Sequence, residues 1–117
     1  MENSTIKTYR DLIVWQKSMT LVTLIYELTG QYPKSENFGI TSQTRRSAVS
    51  IPSNIAEGYG RDSIKDYTRF LKIAKGSLYE LQTQIEIGSN LNYLKNEDFK
   101  NIYENTREIE RMLKARI

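Results

Sequence analysis

Apolar residues recur along this chain at spacings of three and four, the signature of amphipathic helices, and no stretch shows the strict alternation of a half-buried strand. Leu12, Trp15, Met19, Val22 and Tyr26 form the first stripe, widened by Ile13, Leu21, Leu24, Ile25 and Leu28. Thr44, Ala48, Ile51 and Ile55 form the second, with Val49 and Ala56 at its edge. Tyr67, Phe70, Leu71, Ala74, Leu78, Leu81, Ile85 and Gly88 form the third. Phe99, Ile102, Tyr103, Thr106, Ile109, Met112 and Leu113 form the fourth. The pattern predicts helices over about 11–29, 41–58, 64–89 and 96–115. Short connections favour antiparallel neighbours, hence an all-α, up-down antiparallel four-helix bundle spanning 1–117 as one domain.

The breaks between stripes carry stop and start signals. Residues 1–10 read as a flexible or extended lead-in, with Asp11 as cap or first-turn acid of the first helix. Gly30 suits the end of that helix. The loop QYPKSEN at 31–37 follows, with Tyr32 and Phe38 expected to pin its ends to the core. Thr41 or Ser42 is placed to cap the second helix, Ser63 with Asp66 to cap the third, and Asn96 the fourth. Gly58 and Gly60 suggest special backbone angles or close contacts in the link 57–63. Pro52 falls inside the second stripe, where it removes a backbone hydrogen bond and crowds the Ala48 carbonyl. Because the apolar spacing continues in phase through it, a kink is expected rather than a break. Gly76, inside the third helix, calls for a packing role to offset its poor helix propensity.

Composition narrows the chemistry. Of 117 residues, none is Cys and none is His. That excludes disulfides, thiolate metal sites, Cys nucleophiles and the His-based triads. A carboxylate di-metal bundle needs Glu-x-x-His, so Glu57, Glu80, Glu86 and Glu104 cannot complete the usual set. Lys75 and Ser77 are two apart on a helix and do not face each other. GYGR at 58–61 follows no strand and is no nucleotide fingerprint. No metal, cofactor or enzymatic activity is expected. The most apolar run, 19–28, is too short to span a membrane. With no signal-like start, the expected location is the cytoplasm.

Charge is uneven. Residues 41–75 hold seven Lys/Arg against three acids, so the whole positive excess of the chain, +3 overall, sits there. Such a patch suits an anionic partner, though it equally suits a solvated surface. Two constellations occupy this stretch. On the second helix, Gln43, Arg46, Ser50, Asn54, Glu57 and Arg61 recur at three or four and make one polar face of short side chains. This reads either as a hydrogen-bonded seam, with Arg45 or Arg46 paired to an acid, or as a phosphate-contacting face using Arg45, Arg46, Asn54 and Arg61. On the third helix, Lys65, Arg69, Lys72 and Lys75, continued from Arg61, make a cationic stripe. Tyr59 and Tyr67 are its nearest aromatic platforms, and Tyr67 also fits the core.

Three motifs stand in order along the chain: DLIVWQKSM at 11–19, QTRRSAVSIPSNIAEGYGR at 43–61 and FLKIAKGSLYELQTQ at 70–84. Together they resemble the four-helix bundle proteins named for the 23S rRNA intervening sequence, also labelled S23 ribosomal proteins. The resemblance covers about residues 9–95 closely and the last helix more loosely. It implies a kinked second helix and a ring-shaped homo-oligomer, five subunits being the expected number. The family is similar in turn to the accessory protein of diversity-generating retroelements, a basic ring, although the net charge here is modest for that role. In a ring, Gln43, Arg46, Asn54 and Glu57 facing Ser77, Glu80 and Gln84 would suit an intrachain seam or a subunit interface, and Trp15 either core or interface. Two functions remain open: a non-enzymatic oligomer binding RNA or single-stranded DNA through Arg45, Arg46, Arg61, Lys65, Arg69, Lys72 and Lys75, or a scaffold ring whose partner is a protein.

Overall fold

The structure, a computed structural model, describes residues 6–117. Four helices follow one another: α1 (Ile13–Thr29), α2 (Ile40–Tyr59), α3 (Ile64–Asn90) and α4 (Asn96–Arg116). α1 packs on α2, α2 on α3, α3 on α4, and α4 closes back on α1, while the backbones of the diagonal pairs stay apart. This is the up-down arrangement expected of short links. The particle is 44 Å along its longest axis. Among the described residues there is no strand.

Most of the third stripe is buried as its spacing dictates: Phe70, Leu71, Ala74, Leu78, Leu81, Ile85 and Gly88 lie inside, joined by Ser77, while Tyr67 is only partly covered. Thr44, Ala48, Ile51 and Ile55 of α2 and Ile102, Thr106, Ile109 and Leu113 of α4 complete most of the core. α2 runs without a break through Pro52. Ser50 Oγ sits 2.8 Å from Ser77 Oγ across the α2–α3 contact, where small side chains let the helices approach.

α1 departs from expectation. Val14, Ser18, Leu21, Ile25 and Thr29 are its buried positions. Met19 and Tyr26, expected in the core, are 43% and 44% exposed, and Trp15 and Val22 are only partly covered. The helix is apolar on two adjacent faces, and the bundle takes the one bearing Ser18 and Thr29. Their hydroxyls are satisfied locally, each donating to the carbonyl four residues back, Val14 and Ile25, at 2.7 Å.

Several ends also differ. Residues 1–5 of the expected lead-in lie outside the described residues. Thr8 opens a 3-10 turn over Tyr9–Asp11, and the Asp11 carboxylate accepts the Lys7 and Thr8 amides at 2.9 and 3.1 Å. Those bonds hold its carboxyl below the usual value. Asp11 therefore caps the turn, and α1 begins after Leu12. Neither Thr41 nor Ser42 caps α2: its cap residue is Gly39, with no side-chain bond. Asn96 lies inside α4, whose cap position is held by Lys95. Ser63 does cap α3, accepting the Asp66 amide at 3.1 Å. Tyr32 pins its loop, buried against Gly88 and 5.2 Å from the Tyr93 ring. Phe38 does not: it is 101% exposed, in full contact with solvent.

Candidate nucleic-acid interface

The cations expected to act together fall into two groups. Arg45 and Arg46 sit near the start of α2; Arg61, Lys65, Arg69 and Lys72 gather around the start of α3. From Arg46 to the end of α2 at Tyr59 is 13 residues, a rise of about 20 Å.

The second group is organised by one ring. Phe70 is buried, and the Arg61 and Arg69 guanidinium carbons lie 4.7 and 4.6 Å from its centroid. Both arginines remain anchored to acids at the surface. Arg61 meets Glu57 at 2.8 Å, and Arg69 meets Asp66 at 3.9 Å. These exposed pairs contribute little stability. Their effect is to orient the guanidiniums, which the ring contact assists. Lys65 and Lys72 share this exposed side of α3 with Arg69 and make no ion pair among the described residues. Lys75 is half-buried and about 80° round the helix from Lys65, so it stands beside the stripe rather than on it. Tyr59 and Tyr67 pack edge to face at 6.1 Å, both only partly exposed. The aromatic surface that sequence reasoning overlooked is Phe70 itself. Its core spacing hid the fact that two arginines cover it.

On the same side of α3 stands Gly76, exposed. A Cβ added there would meet nothing within 4 Å. The packing role expected for Gly76 has no counterpart among the described residues.

The polar face of α2 is brought partly together with α3. Gln43, Arg46, Ser47, Ser50, Ser77, Glu80 and Gln84 line one groove of about 350 Å³ between the two helices. Asn54 donates to the Ser50 carbonyl and hydroxyl at 2.8 and 3.0 Å, extending the seam upward. Glu57 lies beyond it, spent on Arg61. The Gln84 side-chain oxygen Oε1 is buried without a partner.

Arg45 does not pair with an acid. Its Nε donates to Thr29 Oγ1 at 2.9 Å and its Nη2 to the Tyr26 carbonyl at 3.3 Å, with the guanidinium 4.5 Å over the Tyr26 ring. It thereby closes the negative end of α1. Arg46 is exposed and makes no hydrogen bond or ion pair among the described residues.

The displaced apolar face of α1 lines a second groove. Tyr9, Trp15, Met19, Val22, Val49, Pro52, Ser53 and Ala56 enclose about 420 Å³ between α1 and α2. Tyr9 packs edge-on to Trp15 at 5.1 Å, and Arg10 lies 5.5 Å over the indole.

Among the described residues, no group of three or more Asp or Glu is placed to hold a metal ion. No helix is long and apolar enough to cross a membrane. Residues 10–115 match the family model described as 23S rRNA-intervening sequence protein. The fold is similar to a crystal structure of a protein of unknown function from the S23 ribosomal protein family of Bacteroides thetaiotaomicron. That likeness has a TM-score of 0.82 at 26% identity, covering 88% of this chain and 96% of that one. No curated protein matches the chain.

Proposed function

The chain belongs to the 23S rRNA-intervening sequence protein family, and from that premise we propose that it is a non-enzymatic, self-assembling bundle that holds single-stranded nucleic acid on the cationic side of α3. The observation that carries this is the Arg61–Phe70–Arg69 cluster flanked by the unpaired Lys65 and Lys72. Two oriented guanidiniums provide planar donors for phosphate. Two free ammoniums on the same side extend the positive track along the helix. His and Cys are absent from the whole chain, which leaves acid-base and nucleophilic chemistry without its usual groups.

The apolar α1–α2 groove supports the self-assembly half. Met19 and Val49, at 43% and 40% exposure, line a contiguous apolar surface that a second copy would cover. The motif resemblance favours a ring of five, and a ring would repeat the α3 surface around its rim. A scaffold ring with a protein partner is the other reading, favoured by the exposed Phe38 and Ile64, at 101% and 83%, which stand outside the α1–α2 groove.

Two measurements on the full chain decide between them. Sedimentation gives the mass of the particle. Fluorescence-anisotropy titration with labelled single-stranded RNA and DNA at two salt concentrations gives binding and its salt dependence. Binding that weakens steeply with salt supports the nucleic-acid reading; absence of binding at low salt rejects it in favour of the scaffold.

A further inference from the structure

The α1–α2 side of the bundle carries a second groove, near the start of α2, whose chemistry is unlike that of the apolar one. Tyr26, Asn37, Thr41, Ser42, Arg45 and Arg46, with Val49 at its far edge, enclose about 520 Å³. We propose that this groove binds a phosphate monoester, independently of the α3 surface.

Three features converge there. The first is the bare helix end. Gly39 offers no side-chain acceptor, the first turn holds no acid, and the first amide with an intrachain acceptor is Gln43, bonded to the Gly39 carbonyl at 3.0 Å. The amides of Ile40, Thr41 and Ser42 are therefore left as donors at the positive end of a 20-residue helix. The second is Thr41. It is 3% exposed, lines the groove, and its hydroxyl has no hydrogen-bond partner. A buried hydroxyl is seldom left so, because the desolvation is uncompensated. Turned toward the groove that the residue lines, it would meet an acceptor bound there. The third is the pair of arginines. Arg45 is oriented in advance by Thr29, the Tyr26 carbonyl and the Tyr26 ring. Arg46 has no competing partner and stands one residue further along the same helix.

Backbone amides, a hydroxyl and two guanidiniums make a donor set for a tetrahedral dianion rather than for a carboxylate. The groove exceeds the volume of a phosphate alone. Tyr26 and Val49 give the organic part of the ester an apolar wall. The nearby acid is Glu36, which does not line the groove. One of its oxygens accepts the Tyr93 hydroxyl at 2.9 Å, and the other lies 2.8 Å from where a Gly39 Cβ would stand.

The test is a titration of ¹⁵N-labelled protein with inorganic phosphate, followed by 5′-phosphorylated and 5′-hydroxyl single strands of one sequence. The expected result is saturable shifts at the Ile40, Thr41 and Ser42 amides. Arg46→Ala should weaken binding about tenfold or more. Thr41→Val should weaken it too while raising the melting temperature, since it removes an unpaired buried hydroxyl. Lys100→Ala, on exposed α4 surface, should bind phosphate like the wild type. Preference for the phosphorylated strand identifies a strand end as the ligand. Equal binding of the two strands, with phosphate still saturating, identifies a small phosphate ester. Shifts that do not saturate, or equal losses in Arg46→Ala and Lys100→Ala, would overturn the site, as would wild-type binding by Thr41→Val and Arg46→Ala. Charge reversal at Lys65 and Lys72 should leave this titration unchanged, so the two proposals fail separately.

Discussion

Gly58 and Phe70 meet so closely at the α2–α3 crossing that a Cβ on Gly58 would stand 2.6 Å from the Phe70 Cβ. That contact seats the ring which Arg61 and Arg69 cover, so the packing of the bundle and the geometry of its cationic surface share one joint. Gly58→Ala gains up to about 1 kcal/mol in helix propensity and incurs about 1–3 kcal/mol of overpacking. The expected net result is a loss of about 1–2 kcal/mol in denaturant unfolding, with weaker nucleic-acid binding. Unchanged stability would mean that α2 and α3 can separate there without cost.

Gly76 is the opposite case. With open space around its missing Cβ, Gly76→Ala should stabilise the chain by up to about 1 kcal/mol, read as a higher midpoint in the same unfolding experiment. Destabilisation would show that something covers this part of α3 in solution, and a concentration-dependent midpoint would identify it as a second copy.

Tyr32 sets an upper pH limit. Burial pushes its hydroxyl up to about 12 from the ordinary tyrosine value of 10.0, so the fold holds the proton more tightly than the unfolded chain does. The associated stability is complete below pH 10 and is lost as pH rises through about 12. The melting temperature should therefore fall across that window more steeply in the wild type than in Tyr32→Phe. Because the hydroxyl is buried without a partner, Tyr32→Phe should also be at least as stable at neutral pH. Parallel curves for the two proteins would remove Tyr32 as the source.

Reversing the charge on Lys65 and Lys72 together should reduce both affinity for single-stranded RNA and its salt dependence. Each lost phosphate contact lowers the log–log slope by about 0.7 for a single strand. A loss of affinity with an unchanged slope would place the contact elsewhere.

Assembly should depend on the apolar groove. Val49 is 40% exposed, so Val49→Lys leaves the core of each bundle intact. Sedimentation should report a smaller particle with the same helical circular dichroism. A particle of unchanged mass would move the interface away from α1–α2.

Much of the fold was legible because three of the helices have a single dominant apolar stripe. In α3 the spacing from Phe70 to Gly88 named every buried residue of that stretch but Ser77. In α1 it did not, because Val14, Leu21 and Ile25 compete with Trp15, Met19 and Val22 on adjacent faces. Periodicity counts apolar residues but cannot say which face meets a neighbour, and the face that is buried carries Ser18 and Thr29, which add nothing to an apolar stripe. Phe38 misled for a related reason: hydrophobicity beside a loop suggests an anchor, yet the ring stands fully exposed. Helix caps were uncertain because Thr41, Ser42 and Asn96 each qualify by residue type, while the cap position depends on where the chain turns.

The sequence by itself determined the helices, their up-down order, the absence of thiol and imidazole chemistry and the concentration of positive charge in 41–75. These follow from residue identity and spacing along one chain. Only the tertiary structure decided how the charges divide. Arg45 turns inward to the end of α1, Arg46 stands free beside a bare helix terminus, and Arg61 and Arg69 close over Phe70. The reason is that a cation's role depends on the acceptors and rings that other helices bring to it, and helices distant in sequence meet only when the bundle closes.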